Sequence, residues 1–343
     1  MAAYILRRLL LIIPTLFGVM LISFAIIQFA PGGPVDKVIA EIRGTDVGAT
    51  ARVSGGTQGG DFSGQGQGDS GGSAYRGAQG LDPEFIAELE KQFGFDKPPA
   101  ERFWLMLTNY IQFDFGESYF RDKSVIDLIV EKLPVSISLG LWMTLISYAV
   151  SIPLGIRKAV KDGSNFDIWT SGVIIVAYAI PGFLFAVLLI VLFAGGSFWN
   201  IFPLSGLLSD TVKGTWCAPW SADFDIARCV TTTIPDYFWH LALPLLALSL
   251  AAFATTTLLT KNSFLEEIRK QYVMTARMKG LSEREVLYGH VFRNAMLIII
   301  AGFPGAFIGA FFTGSLLIET IFNLDGLGLL GFESIIDRDY PIV

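Results

Sequence analysis

Charge is scarce in this chain. Only 16% of its 343 residues are Asp, Glu, Lys or Arg, whereas a soluble protein carries about 25%. Hydrophobic residues reach 52%, Phe alone numbers 28, and mean hydropathy is +0.54. A soluble globular domain is excluded, and an all-α integral membrane protein remains. The net charge of -6 excludes a nucleic-acid binder, which would need a basic face. Histidine is nearly absent. His240 and His290 fall at opposite ends of one span-and-loop region, so they share no metal site, and His240 reads as an interfacial anchor beside Trp239. No Gly-x-x-x-x-Gly-Lys-Ser/Thr stretch occurs, so the chain should not cradle ATP in that way. No cofactor is expected on it. Cysteine is limited to Cys217 and Cys229, which allow one pairing. In an oxidising compartment they would form a disulfide; the alternative is two unpaired thiols packed among Trp216, Pro219 and Trp220.

What the chain has in quantity is long apolar runs. A membrane helix needs about 20 such residues, and five segments qualify: Leu9–Ala30, Pro134–Ile156, Ile168–Phe193, His240–Thr260 and Ala295–Ile318. None contains Asp, Glu, Lys or Arg, which disfavours an intramembrane enzyme or a proton-coupled carrier. Pro181-Gly182 and Pro304-Gly305 interrupt two spans and keep a channel or ion-coupled carrier as the alternative. Gly305-x-x-x-Gly309, followed by Gly314, suits close helix packing. The first run is too long for a signal-peptide core, and Ala30-Pro31-Gly32 offers no cleavage site, so it reads as a retained helix.

Lys and Arg placement orients the chain. With the N-terminus inside, segments 1–8, 157–167 and 261–294 hold 12 basic and 6 acidic residues; the outside segments hold 13 and 25. The outside segment 31–133 has two parts. Residues 48–80 are Gly/Ser/Gln-rich and read as a flexible loop, either a flap over the outer mouth or a passive linker. From 81 to 133 the pattern turns amphipathic, with helices opening at Asp82-Pro83-Glu84 and over Phe103–Phe113, and forms a small helical cap.

The inside loop 261–294 is the most informative stretch. Ser263-Phe-Leu-Glu266 matches a capping box, a helical run follows to Lys279, and Gly280 permits the left-handed turn that ends helices. Ser282-Glu-Arg-Glu285 is a second capping box opening a helix towards Arg293. The result is a basic helical elbow with Tyr272, Val273, Ala276 and Leu281 as an apolar edge. Such an elbow suits docking into a partner's cleft, or lying on the lipid surface.

Tyr272-Val-Met-Thr-Ala-Arg-Met-Lys-Gly280 and its continuation to His290, Arg293 and Asn294 resemble the EAA loop of ABC importer permeases, in the version of the dipeptide/oligopeptide branch. Ala276 matches that motif's second alanine and Gly280 its glycine. Met274, Thr275 and Arg293 depart from the general pattern in the way usual for this branch. Ala3-Tyr4, Ala30–Pro34, Phe113-Asp114-Phe115-Gly116-Glu117-Ser118, Glu319 through Gly326-Leu-Gly328, and Arg338-Asp339-Tyr340-Pro341 extend the resemblance over nearly the whole chain. The insert with Tyr75-Arg76-Gly77 and Leu81-Asp82-Pro83 resembles the Yej-type importers of oligopeptides and microcin C, in their first permease subunit.

The resemblance implies a type I ABC importer transmembrane domain over 134–343, with a periplasmic insertion (31–133) after the first membrane helix (1–30). It implies a multi-pass bacterial inner-membrane location and an ATPase-coupling loop of Tyr272, Thr275, Ala276, Arg277, Lys279, Gly280, His290 and Arg293. His290 then reads as packing or a polar contact rather than a catalyst. The implied partners are a second permease, ABC ATPase subunits carrying ATP and Mg, a periplasmic binding protein and a peptide substrate moved by alternating access. The family's sixth membrane helix is expected beyond residue 343.

Overall fold

The computed structural model describes residues 2–29, 33–42, 83–196, 198–212, 217, 225–312 and 315–343. The Gly-rich stretch 48–80, Trp216, Pro219, Trp220 and Gly314 lie outside them. The described residues are helical, with one isolated bridge between Glu117 and Ser124. They divide into two units, residues 1–130 with 331–343, and residues 131–330.

In the first unit, α1 (Ala2–Phe29) is apolar throughout and long enough to span. α2 (Pro34–Ile42), α3 (Pro83–Gln92) and α4 (Pro99–Ile111) follow. Val35, Ile39, Leu89 and Phe93 form a small core where α2 meets α3. α4 lies on α1 through Phe103, whose ring is 5.8 Å from Phe17 and 5.3 Å from Phe24. Two sequence motifs far apart in the chain meet here. Buried Asp339 accepts the Tyr119 N–H at 3.0 Å and the Ser118 hydroxyl. Lys37–Asp337 and Arg121–Glu333 ion pairs, at 2.7 and 2.8 Å, flank that joint.

The second unit holds most of the membrane helices. α5 (Val125–Val160) ends with Arg157 and Lys158, positive charge where the helix dipole is negative. α6 (Asn165–Ala179) is capped by Ser164. α7 (Gly182–Phe193) is bent 93° from α6, so the expected straight span Ile168–Phe193 is a broken one. Ile180, ahead of proline, is pushed out of the helical region to φ -82, ψ 119. Pro304 does not interrupt its span. It lies inside a continuous helix, as prolines can where the lost bond is re-satisfied locally.

α8 (Ile226–Arg228) runs through a π-helical turn (Cys229–Thr233) into α9 (Ile234–Ile268). Cys217 and Cys229 are joined as a disulfide, Cα atoms 5.0 Å apart. After α9 come α10 (Gln271–Met278), α11 (Glu283–Glu285), a second π-helical turn (Val286–Val291), α12 (Phe292–Phe312) and α13 (Leu316–Ile321). α14 (Leu327–Asp337) passes from the second unit's last residues into the first unit's. The expected fifth span, Ala295–Ile318, is thus two helices.

Leu139, Ala186, Leu189, Leu241, Ala247 and Ile318 join α5, α7, α9 and α13 in one core. α5 crosses α9 at Gly155, where an added Cβ would stand 2.6 Å from the Thr260 Cβ. At Gly305 an added Cβ would meet nothing within 4 Å among the described residues. Glu319 is fully buried yet satisfied by the Ser315 and Leu329 N–H groups at 3.0 and 2.8 Å. Gly326 makes room for it, since a Cβ there would be 2.6 Å from the carboxyl carbon.

Candidate functional site

α9 has 35 residues, a length of about 50 Å at 1.5 Å per residue. Hydrocarbon needs about 20 of those residues, so one end of the helix stands clear of the bilayer. That end carries the elbow.

Ser263 does not cap a helix there. It sits within α9 and donates to the Ala295 carbonyl at 2.7 Å, tying α9 to α12. The local capping signal loses because Phe264 beside it is fully buried and the helix runs on to meet its core. The break comes later, at Lys270, whose extended backbone starts α10. α10 ends at Met278, and Gly280 turns the chain with φ +82, a conformation costly for a residue with a Cβ. The second capping box is present. Ser282 Oγ accepts from Glu285 N at 3.4 Å and the Glu285 carboxylate accepts from Ser282 N at 2.9 Å. Arg277 and Glu283 close the turn with two bonds of 2.9 and 3.0 Å. Both are exposed, so solvent weakens that pair.

The orientation of α10 revises the expected apolar edge. Val273 and Ala276 point inward, into a core with Ile156, Ala159, Phe264, Val286 and Val291. Ala276 is therefore a packing residue of the elbow and is buried rather than on its surface. The outer side presents Met274 at 65% and Met278 at 85% exposure, with Thr275, Arg277, Lys279 and Gly280 around them. Tyr272 is half-buried and donates to Glu267 at 2.8 Å. Burial chiefly pushes its hydroxyl pKa up, and Glu267 adds to this. The bond with Glu267 in turn raises Lys270. His290 is exposed on the π-helical turn and shares a shallow hollow with Leu281 and Tyr288. Arg293 is exposed at the start of α12.

Beneath the elbow lies an ion network that sequence reasoning missed. Lys158 has no exposed surface. Its ammonium lies 2.9 Å from the Asp167 carboxylate and donates to Thr170 and Ser171 hydroxyls at 2.7 and 2.8 Å. Asp167 also pairs with Lys261 at 2.7 Å, Lys261 with Asp162 at 3.0 Å, and Asp162 with Arg269 at 3.4 Å. α5, α6 and α9 are thereby joined through buried charge where the elbow begins. Only adjacency in the fold reveals this, since in sequence these charges look like ordinary loop residues.

The sequence pattern of the family described as "Binding-protein-dependent transport system inner membrane component" matches residues 151–343, which include the network and the whole elbow. A protein of Agrobacterium fabrum named "Peptidoglycan transport system permease protein YejB" is 67% identical, over 100% of this chain and 90% of that protein. "Inner membrane ABC transporter permease protein YejB" of Escherichia coli O157:H7 is 56% identical over 100% and 91%. "Dipeptide transport system permease protein DppB" of Escherichia coli K12 is 30% identical over 100% and 90%.

Proposed function

Since the chain belongs to the binding-protein-dependent inner-membrane permease family, and within it to the Yej type of ABC importer permease, we propose that its elbow is the contact through which ATP hydrolysis drives peptide import. The chain itself is a multi-pass membrane permease subunit. In this reading the N-terminus and elbow face the cytoplasm, in keeping with the basic excess of segments 1–8, 157–167 and 261–294. The elbow seats in a groove of an ABC ATPase subunit, which holds the ATP and Mg. A second permease completes the pathway, and a periplasmic binding protein delivers the cargo to the opposite mouth. Alternating access then carries the cargo across.

The observation that supports this most is the two-sidedness of α10. Its inner face is locked by Val273 and Ala276, while Met274 and Met278 stand unpacked on the outer face. Methionine adapts to irregular apolar pockets, and a rigid helix offering two of them beside Arg277 and Lys279 suits a cleft with an acidic rim. The cargo is oligopeptide-like, a peptide antibiotic such as microcin C included. The peptidoglycan and dipeptide named for the relatives share peptide bonds as their common chemistry.

The test is Gly280→Pro in the assembled complex in lipid. Proline cannot take φ +82 and removes the N–H that bonds the Arg277 carbonyl at 2.9 Å. Assembly should survive while binding-protein-stimulated hydrolysis and peptide uptake collapse together. Normal rates of both would reduce the elbow to a membrane-surface element.

A further inference from the structure

The first unit carries an apolar face that its own core does not use. α4 is charged only near its start, at Glu101 and Arg102, and from Phe103 to Phe113 no Asp, Glu, Lys or Arg occurs. Phe103 is buried, but Trp104 and Ile111 are 60% and 70% exposed, with Leu105 and Phe113 exposed as well. Residues 104, 108 and 111 recur at helical spacing on one side. Thr108, between the two large side chains, donates its hydroxyl to the Leu105 carbonyl at 2.8 Å, so it asks no hydrogen bond of its surroundings.

Contacts with α1 set the level at which that face lies. The apolar span of α1 is Tyr4–Gln28, so Gln28 marks its edge. Arg102 donates to the Gln28 side-chain oxygen at 2.7 Å and lies over the Phe95 ring, 4.6 Å from its centroid. The ring of Phe103 reaches further in, to 5.3 Å from Phe24 and 5.8 Å from Phe17. At 1.5 Å per residue those two partners stand about 6 and 16 Å inside the end of the span. The hydrocarbon is about 30 Å thick, so the Phe103 ring lies within one leaflet. α4 keeps beside that end of α1 for two turns, since Leu105, Met106 and Asn109 share a hollow with Phe24, Ile27 and Gln28.

We propose that α4 lies in the bilayer leaflet at the C-terminal end of α1, with phospholipid acyl chains covering Trp104, Leu105 and Ile111. Lipid is the occupant because the face continues the surface of α1, a spanning helix of which none is buried inside the chain. Arg102 at the boundary and Trp104 next to it are residue types that favour this level. In the orientation proposed above the leaflet is the outer one, and the depth is the same whichever way α1 runs. Part of the stretch that its amphipathic pattern marks as a cap outside the membrane therefore belongs to the membrane.

The experiment measures depth with nitroxides on Glu101→Cys, Trp104→Cys and Ile111→Cys. Each supplies the one free thiol of this chain, since Cys217 and Cys229 are bonded to each other. The assembled complex, its other subunits cleared of reactive cysteines, is placed in bilayers of phosphatidylethanolamine and phosphatidylglycerol. The ratio of collisions with O2 to collisions with a water-soluble nickel chelate should be several-fold higher at 104 and 111 than at 101. An equal ratio at all three sites would put the face in water. Low collision with both reagents at 104 and 111 would put a protein on it, and either result overturns the proposal. Should the variants fail to assemble, the wild-type complex decides. Phosphatidylcholine carrying a diazirine in its acyl chain should, on photolysis, attach to Trp104 or Ile111. Absence of that label from residues 103–113 overturns the proposal.

Discussion

The segment that follows α9 packs inward with Val273, Ala276, Val286 and Val291, over a base of buried charge. The segment that precedes it is held by two bonds from Ser209 to Asp236, a disulfide, and stacking of Phe202 on Trp239 at 4.5 Å. One end of the helix is a solid body, and the other encloses a polar hollow. The difference is one of packing: one end is close-packed around apolar side chains, and the other is held by individual bonds around open space. A close-packed core moves as a unit because each displaced methylene is felt by its neighbours.

Removing charge at the base should show the largest effect. Asp167→Ala leaves the ammonium of Lys158 buried without its partner, a class of change that costs about 3–5 kcal/mol. Thermal unfolding of the complex should fall clearly below that of Asp236→Ala at the opposite end. Equal losses would erase the contrast between the two ends. Next in size is Cys229→Ser. Opening a short disulfide loop costs about 2–4 kcal/mol, and here the loss should stay local. Hydrogen exchange should rise in Leu207–Val212 and Cys229–Thr233 while Gln271–Met278 keeps its protection; a rise at both ends would mean that they are one cooperative body. The smallest change expected is Ser282→Ala, which removes the cap of α11 at about 1 kcal/mol. It should loosen the elbow's tip and lower coupled hydrolysis modestly, with uptake per ATP falling in step.

The sequence revealed what is set locally. Apolar runs located the spanning helices, and Gly280 and the Ser282–Glu285 box were readable because a left-handed turn and a helix start demand particular residues. Misreadings arose wherever tertiary contact outranks local chemistry. Ser263 has the residues of a cap, yet Phe264 belongs to a core that keeps α9 helical through it. Pro181 and Pro304 are both followed by glycine and differ in outcome. Beyond Pro181 the chain turns so that Gly182 closes on the Ala247 carbonyl and Ala186 is wholly buried. An added Cβ at Gly305 would meet nothing within 4 Å among the described residues, and α12 runs on through it. The site was half legible. The loop and its glycine stood out, while the inward turn of Ala276, the exposed Met274 and Met278, and the Lys158–Asp167–Lys261 network depend on which helices become neighbours.

The central claim is that the outer face of α10 sits against an ATPase subunit, and Met278 is where to measure it. Since Cys217 and Cys229 are bonded to each other, Met278→Cys adds the single free thiol of this chain. Its rate of reaction with a water-soluble maleimide should be fast in complexes stripped of the ATPase subunits and should drop sharply when those subunits are restored. Equal rates with and without them would contradict the account.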